Sequence, residues 1–301
     1  MAQYACFDIG GTAIKYGLAD ELGNFTHTGH IATEVREKGV AQIIPKIVQQ
    51  IKAYQRSHIV VGVAIASAGV VNAQTGEIIY GGINFPGYAG TKIKAQVEAV
   101  TGLPCTVEND VNAAGLGEYW RGAGQGAQSL FCLMVGTGIG GCFILKGELV
   151  RGVSYSAGEI GYLQTDGTGS FEEIASVTAL IKRVARAKQL KSSELNGEKV
   201  FALAKAGDKE AVQAIEAVIK IWATGIANIC YVVNPERVVI GGGIMAQEAY
   251  LRPRLKAALQ QSMLPLVYTK TTFSFASLAN NVGLTGALYY FLQWQKAKDM
   301  L

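Results

Sequence analysis

Two glycine-rich turns in this chain have residues suited to binding phosphate. The first is Phe7-Asp8-Ile9-Gly10-Gly11-Thr12, followed by Lys15, and the second is Gly136-Thr137-Gly138-Ile139-Gly140-Gly141. Glycine permits positive φ and close approach of the backbone, so the amide groups of such a turn can converge on phosphate oxygens. Thr12, Thr137 and Lys15 add hydroxyl and ammonium donors. One such turn alone is more often an ordinary tight hairpin, but two of them favour one phosphate site between two halves of the protein.

The second turn also matches the G-x-G-x-x-G fingerprint of dinucleotide-binding folds. That fingerprint requires a helix directly afterwards, whereas residues 142–147 are rich in β-forming types. No G-x-x-x-x-G-K-[ST] sequence occurs, so a P-loop is excluded as well. Both turns are therefore predicted to join the strands of a β-hairpin.

A second group of polar residues is centred on Asp110, in Glu108-Asn109-Asp110-Val111-Asn112, where a predicted strand ends and a helix begins. An aspartate in this position is commonly a helix N-cap, which is the structural alternative. Open α/β folds also bind ligands at the carboxyl ends of strands, and Asn109 offers both a donor and an acceptor. Asp110 is thus a candidate base that accepts a proton from a substrate hydroxyl group during phosphoryl transfer.

Asp8 is a candidate metal ligand, and the triplet Gly241-Gly242-Gly243 is a candidate nucleotide-binding segment. Asp8 closes a predicted strand and could hold Mg²⁺, directly or through water, beside bound phosphates. The alternative is an aspartate that bonds its own backbone to start the turn. The triplet lies between a predicted strand and a helix, where the backbone can approach a nucleotide and a helix N-terminus can face phosphate. A packing role alone is the alternative for these glycines.

Carboxylates suited to a polyhydroxylated ligand follow the second turn. Glu159 lies between Gly158 and Gly161, and Glu172 starts a predicted helix. Each carboxylate can accept hydrogen bonds from two hydroxyl groups, although Glu172 could simply place favourable charge in a first helical turn. Asn84 lies in a loop with proline and glycine nearby, where a residue without a ligand role is the alternative.

The order of elements predicts an α/β protein with two domains. The predicted strands cover residues 4–7, 13–19, 59–65, 105–108, 130–135, 142–145 and 237–240. The predicted helices cover residues 40–54, 92–101, 111–120, 171–190, 197–206, 209–233, 247–261 and 282–295. We expect an N-terminal domain of residues 1–120 and a larger domain of residues 121–282, with a final helix at about 283–301 packed on the first. The recurring turn suggests an internal duplication with a cleft between the halves.

Composition excludes several classes of protein. The chain has 301 residues, half of them hydrophobic, which is ample for a globular core. Its 27 Lys and Arg against 23 Asp and Glu give a net charge of +4, and no basic stretch suggests a nucleic-acid partner. The five cysteines are odd in number and isolated among hydrophobic residues, which predicts buried free thiols. With no signal peptide and no apolar segment of roughly 20 residues, we expect a cytoplasmic protein without a membrane partner.

Taken together, these segments resemble the ROK family of sugar kinases and repressors, within the sugar kinase, Hsp70 and actin superfamily. The matching segments are Phe7 to Thr12 with Lys15 for the first phosphate motif, Gly136 to Gly141 for the second, Glu108 to Asp110 for the catalytic E-N-D motif, Gly158 to Gly161 for the sugar-binding G-E-I-G stretch, and Gly241 to Gly243 for the adenosine motif. The five motifs occur in the order of the family, nearly end to end.

The resemblance implies a two-domain actin-like ATPase fold, which is ribonuclease H-like, with an interdomain cleft. It implies ATP- and Mg²⁺-dependent phosphorylation of a hydroxyl group, expected to be the 6-hydroxyl, of a hexose, an amino sugar or a β-glucoside. By the same resemblance Asp110 is the base, and the residues that hold the sugar are Asn84, Asn109, Asp110, Glu159 and Glu172. A homodimer is the expected assembly.

One segment departs from the family. Many members have His after G-E-I-G and then a C-x-C-G-x-x-G-C zinc loop, whereas this chain has Tyr162 and then residues 164–170 without cysteine. A structural zinc needs about four nitrogen or sulfur ligands, so we predict no zinc site. Zinc-less members include kinases that resemble β-glucoside kinases, and Tyr162 either stacks on a larger glycoside or fills space.

A sugar-responsive repressor and a non-catalytic sugar-binding protein are the alternative functions. Repressors of this family place a helix-turn-helix ahead of the first phosphate motif, and here only about four residues precede it, so we do not expect repression. The intact Asp8, Lys15 and Asp110 disfavour a non-catalytic relic.

Overall fold

The structure is a computed structural model of the chain, and it describes residues 2–82, 85–165 and 167–300. The strands, in chain order, are β1 (Gln3–Ile9), β2 (Ala13–Ala19), β3 (Phe25–Ala32), β4 (Val60–Ser67), β5 (Val70–Asn72), β6 (Glu77–Tyr80), β7 (Cys105–Asn109), β8 (Ser129–Val135), β9 (Ile139–Leu145), β10 (Glu148–Val150), β11 (Arg237–Gly241) and β12 (Thr272–Phe275). The α-helices are α1 (Val35–Lys38), α2 (Ile43–Gln55), α3 (Ile93–Thr101), α4 (Asp110–Arg121), α5 (Phe171–Ala175), α6 (Val177–Ala187), α7 (Gly197–Lys205), α8 (Lys209–Val233), α9 (Glu248–Ser262), α10 (Pro265–Lys270) and α11 (Val282–Asp299).

The chain divides into two compact units. The first contains the residues up to Gln125, the segment Leu149–Ala157 and the residues from Leu278 onward. The second contains Gly126–Glu148 and Gly158–Ser277. The domain boundaries at residues 120 and 282 stay a prediction.

The sheet of the first unit carries the predicted base at one edge. Its strand order is β3-β2-β1-β4-β7, with β1 and β2 as an antiparallel hairpin and β1, β4 and β7 running parallel. The register pairs Ile9 with Ser67 and Ser67 with Asn109, so the carboxyl ends of the parallel strands meet at one edge. This edge therefore carries Asp8 as well as Asn109 and Asp110.

Helices cover both faces of this sheet. Successive strand residues point to opposite faces, and Phe7 and Ile9 of β1 belong to the same core as Ile47 of α2. Cys6, which directly precedes Phe7, belongs to a separate core with Leu288 of α11. Strands covered on both faces explain why the sequence shows continuous apolar runs at these positions.

Helices α4 and α11 approach each other closely at two glycines. A Cβ atom added to Gly286 would overlap the backbone of Ala113, and one added to Gly117 would lie 2.6 Å from the carbonyl oxygen of Val282. Both contacts involve backbone atoms, so a larger residue would push the helices apart. Because α4 begins at Asp110, this contact holds the helix that carries the predicted base.

The second unit has a sheet with the strand order β10-β9-β8-β11-β12. β8 and β9 form the second antiparallel hairpin, and β11 runs parallel to β8 and to β12. Both hairpins that the sequence predicts are confirmed. The second turn therefore connects two strands of the sheet, with β11 ending beside it.

Helix α8 is long and apolar enough to cross a membrane by length and composition, and more than half of its apolar stretch is buried inside the protein. The expectation that no apolar segment reaches this length is therefore wrong. Ile215, Ile219 and Trp222 of α8 belong to the hydrophobic core of the second unit. Its apolar character is accounted for by this packing.

Ser176 interrupts the predicted helix at residues 171–190. Its backbone is extended, with φ −69° and ψ 168°, and its side chain accepts a hydrogen bond from the amide group of Ala179. This cap satisfies an amide group at the start of α6, so the chain forms α5 and α6 instead of one helix.

The elements that the sequence does not predict are short or lie at sheet edges and carry little periodic apolar signal: β3, β5, β6, β10, β12, α1 and α10.

We expect Gly286→Ala to lower the free energy of unfolding by about 2 to 3 kcal/mol, because the added methyl group would overlap backbone atoms of α4. Urea unfolding measured by circular dichroism gives this difference. Gly197→Ala, at the start of α7, is the control, since its Cβ atom would lie 3.3 Å from a Val177 methyl group. Equal stability of the two variants would show that α4 and α11 are not held at this distance.

Candidate active site

The first glycine turn is held by Thr33, a fully buried residue. The Thr33 hydroxyl group donates a hydrogen bond to the carbonyl oxygen of Gly10 (2.7 Å), and its amide group donates one to the carbonyl oxygen of Thr12 (3.0 Å). The amide groups of Gly11 and Thr12 donate no hydrogen bond to the residues that the structure describes. Since a backbone amide group needs an acceptor, these two are available to a ligand.

The second turn has the same arrangement, with its partners at the start of α6. The carbonyl oxygen of Gly136 accepts a hydrogen bond from the amide group of Val177 (2.9 Å), and that of Thr137 accepts one from the hydroxyl group of Thr178 (2.8 Å). Within the described part of the chain, the amide groups of Thr137 and Gly138 donate no hydrogen bond. In both turns at least two carbonyl groups accept hydrogen bonds from the protein, and two amide groups are left for an anion.

The glycines near these turns differ in whether packing requires them. A Cβ atom on Gly138 would overlap the carboxylate of Glu172. On Gly136 or Gly243 it would meet no atom of the described residues within 4 Å, and on Gly11 the nearest atom would be 3.8 Å away. None of these three glycines has a positive φ. Glycine at such open positions lets a ligand approach the backbone closely, which fits the phosphate groups of a nucleotide.

Gly241 and Gly242 also have a packing role. Gly242 has a φ of 95°, and a Cβ atom there would overlap the backbone of Val135. A Cβ atom on Gly241 would lie 2.5 Å from the sulfur of Met134. Gly243 then begins a 3₁₀ turn that leads into α9, so a helix follows the triplet as the sequence predicts.

Asp8 has a side chain that is 18% exposed, and burial raises its pKa. The ammonium group of Lys15 lies 3.9 Å from Asp8 Oδ2 and lowers this pKa by a smaller amount, while it also donates to the carbonyl oxygen of Asn280 (3.3 Å). A Cβ atom on Gly283 would lie 2.8 Å from Asp8 Oδ2, so the carboxylate packs against the start of α11. A half-buried carboxylate that Lys15 approaches only to 3.9 Å, beyond hydrogen-bond distance, fits a divalent cation such as Mg²⁺.

Asn109, and not Asp110, caps helix α4. Asn109 Oδ1 accepts a hydrogen bond from the amide group of Asn112 (2.9 Å), whereas Asp110 is the first helical residue. The N-cap alternative for Asp110 is therefore wrong. The Asn109 side-chain nitrogen donates to the carbonyl oxygen of Gly69 (2.9 Å) and to Asp110 Oδ1 (3.1 Å). Asp110 Oδ1 also accepts from the amide group of Val111 (2.9 Å), so two hydrogen bonds orient this carboxylate.

Glu108 lies directly before this pair, and its side chain is only 1% exposed. Its Oε1 accepts hydrogen bonds from the Asn109 amide group (2.9 Å) and from the Asn112 side chain (3.0 Å). Its Oε2 accepts two from Arg151, from Nε (2.9 Å) and from Nη2 (2.7 Å). An ion pair between the buried Glu108 and the half-buried Arg151 thus lies next to the residues that hold Asp110.

Glu159 and Glu172 come together in the second unit. Glu172 lies in the first turn of α5, and its Oε2 accepts a hydrogen bond from the amide group of Ile139 at the end of the second glycine turn (2.9 Å). Burial raises the pKa of Glu159, and the neighbouring charge of Glu172 raises it further. Hydroxyl donors from a ligand would relieve this repulsion, which fits a polyhydroxylated molecule.

The segment that departs from the family begins with an exposed aromatic ring. Tyr162 is 65% exposed, so it does not fill space in a core. Beyond it, Gln164 and Ser170 form an isolated antiparallel bridge. The cysteines are buried free thiols, as the sequence predicts, while Asn84 lies outside the described residues.

The structure brings the predicted site residues together in two groups. In the first unit, Asp8, Asn109 and Asp110 lie at one sheet edge with the first glycine turn. In the second unit, the second turn lies against Glu172, and Gly242 lies against the end of β8. Each group contains hydrogen-bond donors that could bind phosphate and at least one carboxylate.

Thr33 and Arg151 contribute to these groups and are not identified from the sequence. Thr33 bonds to the first turn across 23 residues, and Arg151 bonds to Glu108 across 43 residues. Neither residue is part of a local motif, so spacing in the sequence carries no signal for these contacts.

Comparisons with known proteins find relatives over nearly the whole chain. The model of the ROK family matches residues 4–294. A β-glucoside kinase of Listeria monocytogenes is 35% identical over 299 residues, covering 97% of this chain and 98% of that protein. A glucokinase of Halalkalibacterium halodurans is 30% identical over 323 residues, covering 98% and 97%. The structure of a ROK family glucokinase from Streptomyces griseus in complex with glucose and AMPPNP is 27% identical, with a TM-score of 0.82 over 95% of this chain and 98% of that chain.

The sheets, helices and glycine turns are thus those of a sugar kinase with the actin-like ATPase fold. The chain belongs to the ROK family. It is an ATP-dependent sugar kinase, which confirms the function expected from the five motifs.

We expect Glu159→Gln to raise the Tm of the ligand-free protein by about 1 to 3 °C at pH 7.5. The pKa of Glu159 is raised in the folded state, so this group costs its full stability penalty above that pKa and none below the ordinary pKa of a glutamate. The gain should therefore shrink as the pH falls through the raised pKa toward the ordinary range.

Thermal unfolding of the wild type, Glu159→Gln and Glu173→Gln at several pH values between 4 and 8 measures this difference in Tm. Hydrogen bonds from Ser170 lower the pKa of Glu173, so its replacement should lower the Tm at neutral pH instead. A pH-independent effect of Glu159→Gln would rule out the repulsion between Glu159 and Glu172.

Proposed function

We propose that the protein transfers the γ-phosphoryl group of ATP to the 6-hydroxyl group of its sugar, with Asp110 as the base. The observation that carries this assignment is the Asp110 carboxylate, oriented by two hydrogen bonds at the sheet edge that also carries the first glycine turn. Phosphoryl transfer depends mainly on positioning and on neutralising charge. A carboxylate in this position takes the hydroxyl proton as the sugar oxygen attacks phosphorus and ADP leaves.

The phosphate groups of ATP are proposed to bind at both glycine turns. The donors are the unbonded amide groups of the two turns, with Lys15 as a nearby cation. Gly10 contributes through its backbone, which Thr33 fixes, and Gly241–Gly243 lie near the adenosine. Mg²⁺ near Asp8 supplies charge neutralisation and orientation of the phosphates when it is bound.

The sugar is proposed to bind through carboxylate and amide side chains. Glu159 and Glu172 accept hydrogen bonds from its hydroxyl groups, and Asn84 is a further ligand by family resemblance. Asn109 already donates its side-chain nitrogen to two acceptors, so its contact with the sugar uses Oδ1. Asp110 binds the hydroxyl group that it deprotonates.

Among the possible acceptors, a β-glucoside is favoured. Tyr162 stands where many family members have His, and its exposed ring offers an apolar face to the second group of a glycoside. The similarity to a protein named as a β-glucoside kinase supports the same choice. The homodimer, the cytoplasmic location and the absence of zinc stay predictions.

ADP release from the purified protein with Mg²⁺ and ATP tests this function. Glucose, N-acetylglucosamine, N-acetylmannosamine and cellobiose are added in turn, and we expect the largest kcat/KM with cellobiose. A larger kcat/KM with a monosaccharide would remove the preference for a β-glucoside. A protein that binds ATP and turns over none of the four would exclude the proposed reaction.

We expect Gly136→Ala to raise the KM for ATP about 10-fold or more, since a methyl group there would occupy space left for phosphate oxygens. The free energy of unfolding should stay within about 1 kcal/mol, because no atom of the described residues lies within 4 Å of that methyl group. Kinetics of ADP release and urea unfolding on the same samples measure both quantities.

Gly242→Ala is the comparison variant for this prediction. Its positive φ and the backbone of Val135 should make it lose stability by about 1 kcal/mol or more. An unchanged KM for ATP in Gly136→Ala would mean that the second turn does not bind phosphate.

A further inference from the structure

Arg151 lies in a segment that belongs to the first unit, although the chain on either side of it belongs to the second. Its guanidinium group pairs with Glu108 and lies 5.0 Å from the ring centroid of Tyr290. Its carbonyl oxygen accepts a hydrogen bond from the amide group of Ala157 (3.0 Å). The Tyr290 hydroxyl group in turn donates to the carbonyl oxygen of Ala73 (3.0 Å). Arg151 is therefore fixed by its side chain and by its backbone.

The charge of Glu108 is buried, which would be costly without a partner. Two N–H groups of Arg151 converge on Oε2, so the other oxygen is left to the Asn109 amide group and to the Asn112 side chain. Converging charge-assisted hydrogen bonds fix the orientation of a carboxylate as well as neutralising it. Arg151 thereby determines which oxygen of Glu108 faces the start of α4.

From Glu108 the hydrogen bonds continue to Asp110. Arg151 Nη2 lies 2.7 Å from Glu108 Oε2, the Asn109 amide nitrogen lies 2.9 Å from Glu108 Oε1, and Asn109 Nδ2 lies 3.1 Å from Asp110 Oδ1. If the Glu108 carboxylate turned, the Asn109 amide group would lose its acceptor. The side chain that orients Asp110 would then lose part of its own support.

We propose that Arg151 is a positioning residue for Asp110, acting through Glu108 and Asn109. The proposal rests on the proposed function, in which Asp110 is the base. A buried ion pair often stabilises a fold no more than apolar residues of similar size, so stability alone does not account for placing this charge beside the base. Because transfer depends on the placement of the base, the loss of Arg151 should slow the chemical step.

We expect Arg151→Met to lower kcat by about 10- to 100-fold, while the Kd for ATP, measured by calorimetry, changes by less than about 2-fold. Arg151→Lys keeps the charge but loses the fork of two N–H groups. Its kcat should therefore lie between those of Arg151→Met and the wild type. This partial rescue distinguishes positioning by the guanidinium group from simple filling of space.

Arg254→Met is the matched control. Arg254 also pairs with a glutamate, Glu216 (3.1 Å), and its guanidinium group lies 3.7 Å from the ring centroid of Tyr250. This pair is much more exposed than the pair of Arg151 and Glu108. In the part of the chain that the structure describes, Arg254 bonds to Glu216 and Tyr250 and not to a residue of the proposed site. The kcat of Arg254→Met should stay within about 2-fold of the wild-type value, since exposed ion pairs contribute little.

The double variant Glu108→Gln with Arg151→Met separates the positioning of Asp110 from the stability of the fold. It also tests the proposal in the case that Arg151→Met alone does not fold. It buries no unpaired charge, so it should recover the Tm, while its kcat stays about 10-fold or more below the wild type. A wild-type kcat in the double variant, or in a folded Arg151→Met protein, would overturn the proposal.

Asp110→Asn is assayed alongside these variants. If Asp110→Asn is inactive while Arg151→Met is fully active, only the role of Arg151 is wrong. If Asp110→Asn is itself active, the proposed base is wrong, and the role of Arg151 is wrong with it.

Discussion

The parallel register of β1, β4 and β7 is the constraint on which the rest of the first unit's site depends. It pairs Ile9 with Ser67 and Ser67 with Asn109, and a one-residue shift of β7 would turn its side chains to the opposite face of the sheet. The hydrogen bond from Asn109 to the carbonyl oxygen of Gly69 and the ion pair between Glu108 and Arg151 depend on this register. Through them, the sheet fixes where the Asp110 carboxylate lies.

The two glycine turns leave backbone amide groups available in the same way, although different elements of the fold hold each turn. In each turn, donors of the protein occupy the carbonyl groups, so that amide groups are left for phosphate oxygens. Thr33 does this for the first turn after β3, and the start of α6 does it for the second. The break at Ser176 is part of this arrangement, because it allows Val177 to begin a new helix beside Gly136.

Much of the fold could be predicted because it depends on neighbouring residues. Alternating and continuous apolar runs gave the hairpins and buried strands, and glycine-rich spacing located both turns. The cap of α4 could not be assigned, since Asn109 and Asp110 are both good caps and the choice depends on Gly69 and Glu108. Arg151 could not be found at all, because its partner lies 43 residues earlier in the chain.

Whether the oriented Asp110 carboxylate is the base is tested most directly by single-turnover transfer from ATP to an accepted sugar, measured for the wild type and Asp110→Asn. We predict that transfer in Asp110→Asn slows by about 100-fold or more. The Kd for ATP on the same samples should stay within about 2-fold, since the glycine turns are unchanged. Transfer at a rate near that of the wild type, in a folded Asp110→Asn protein, would contradict the assignment of Asp110 as the base.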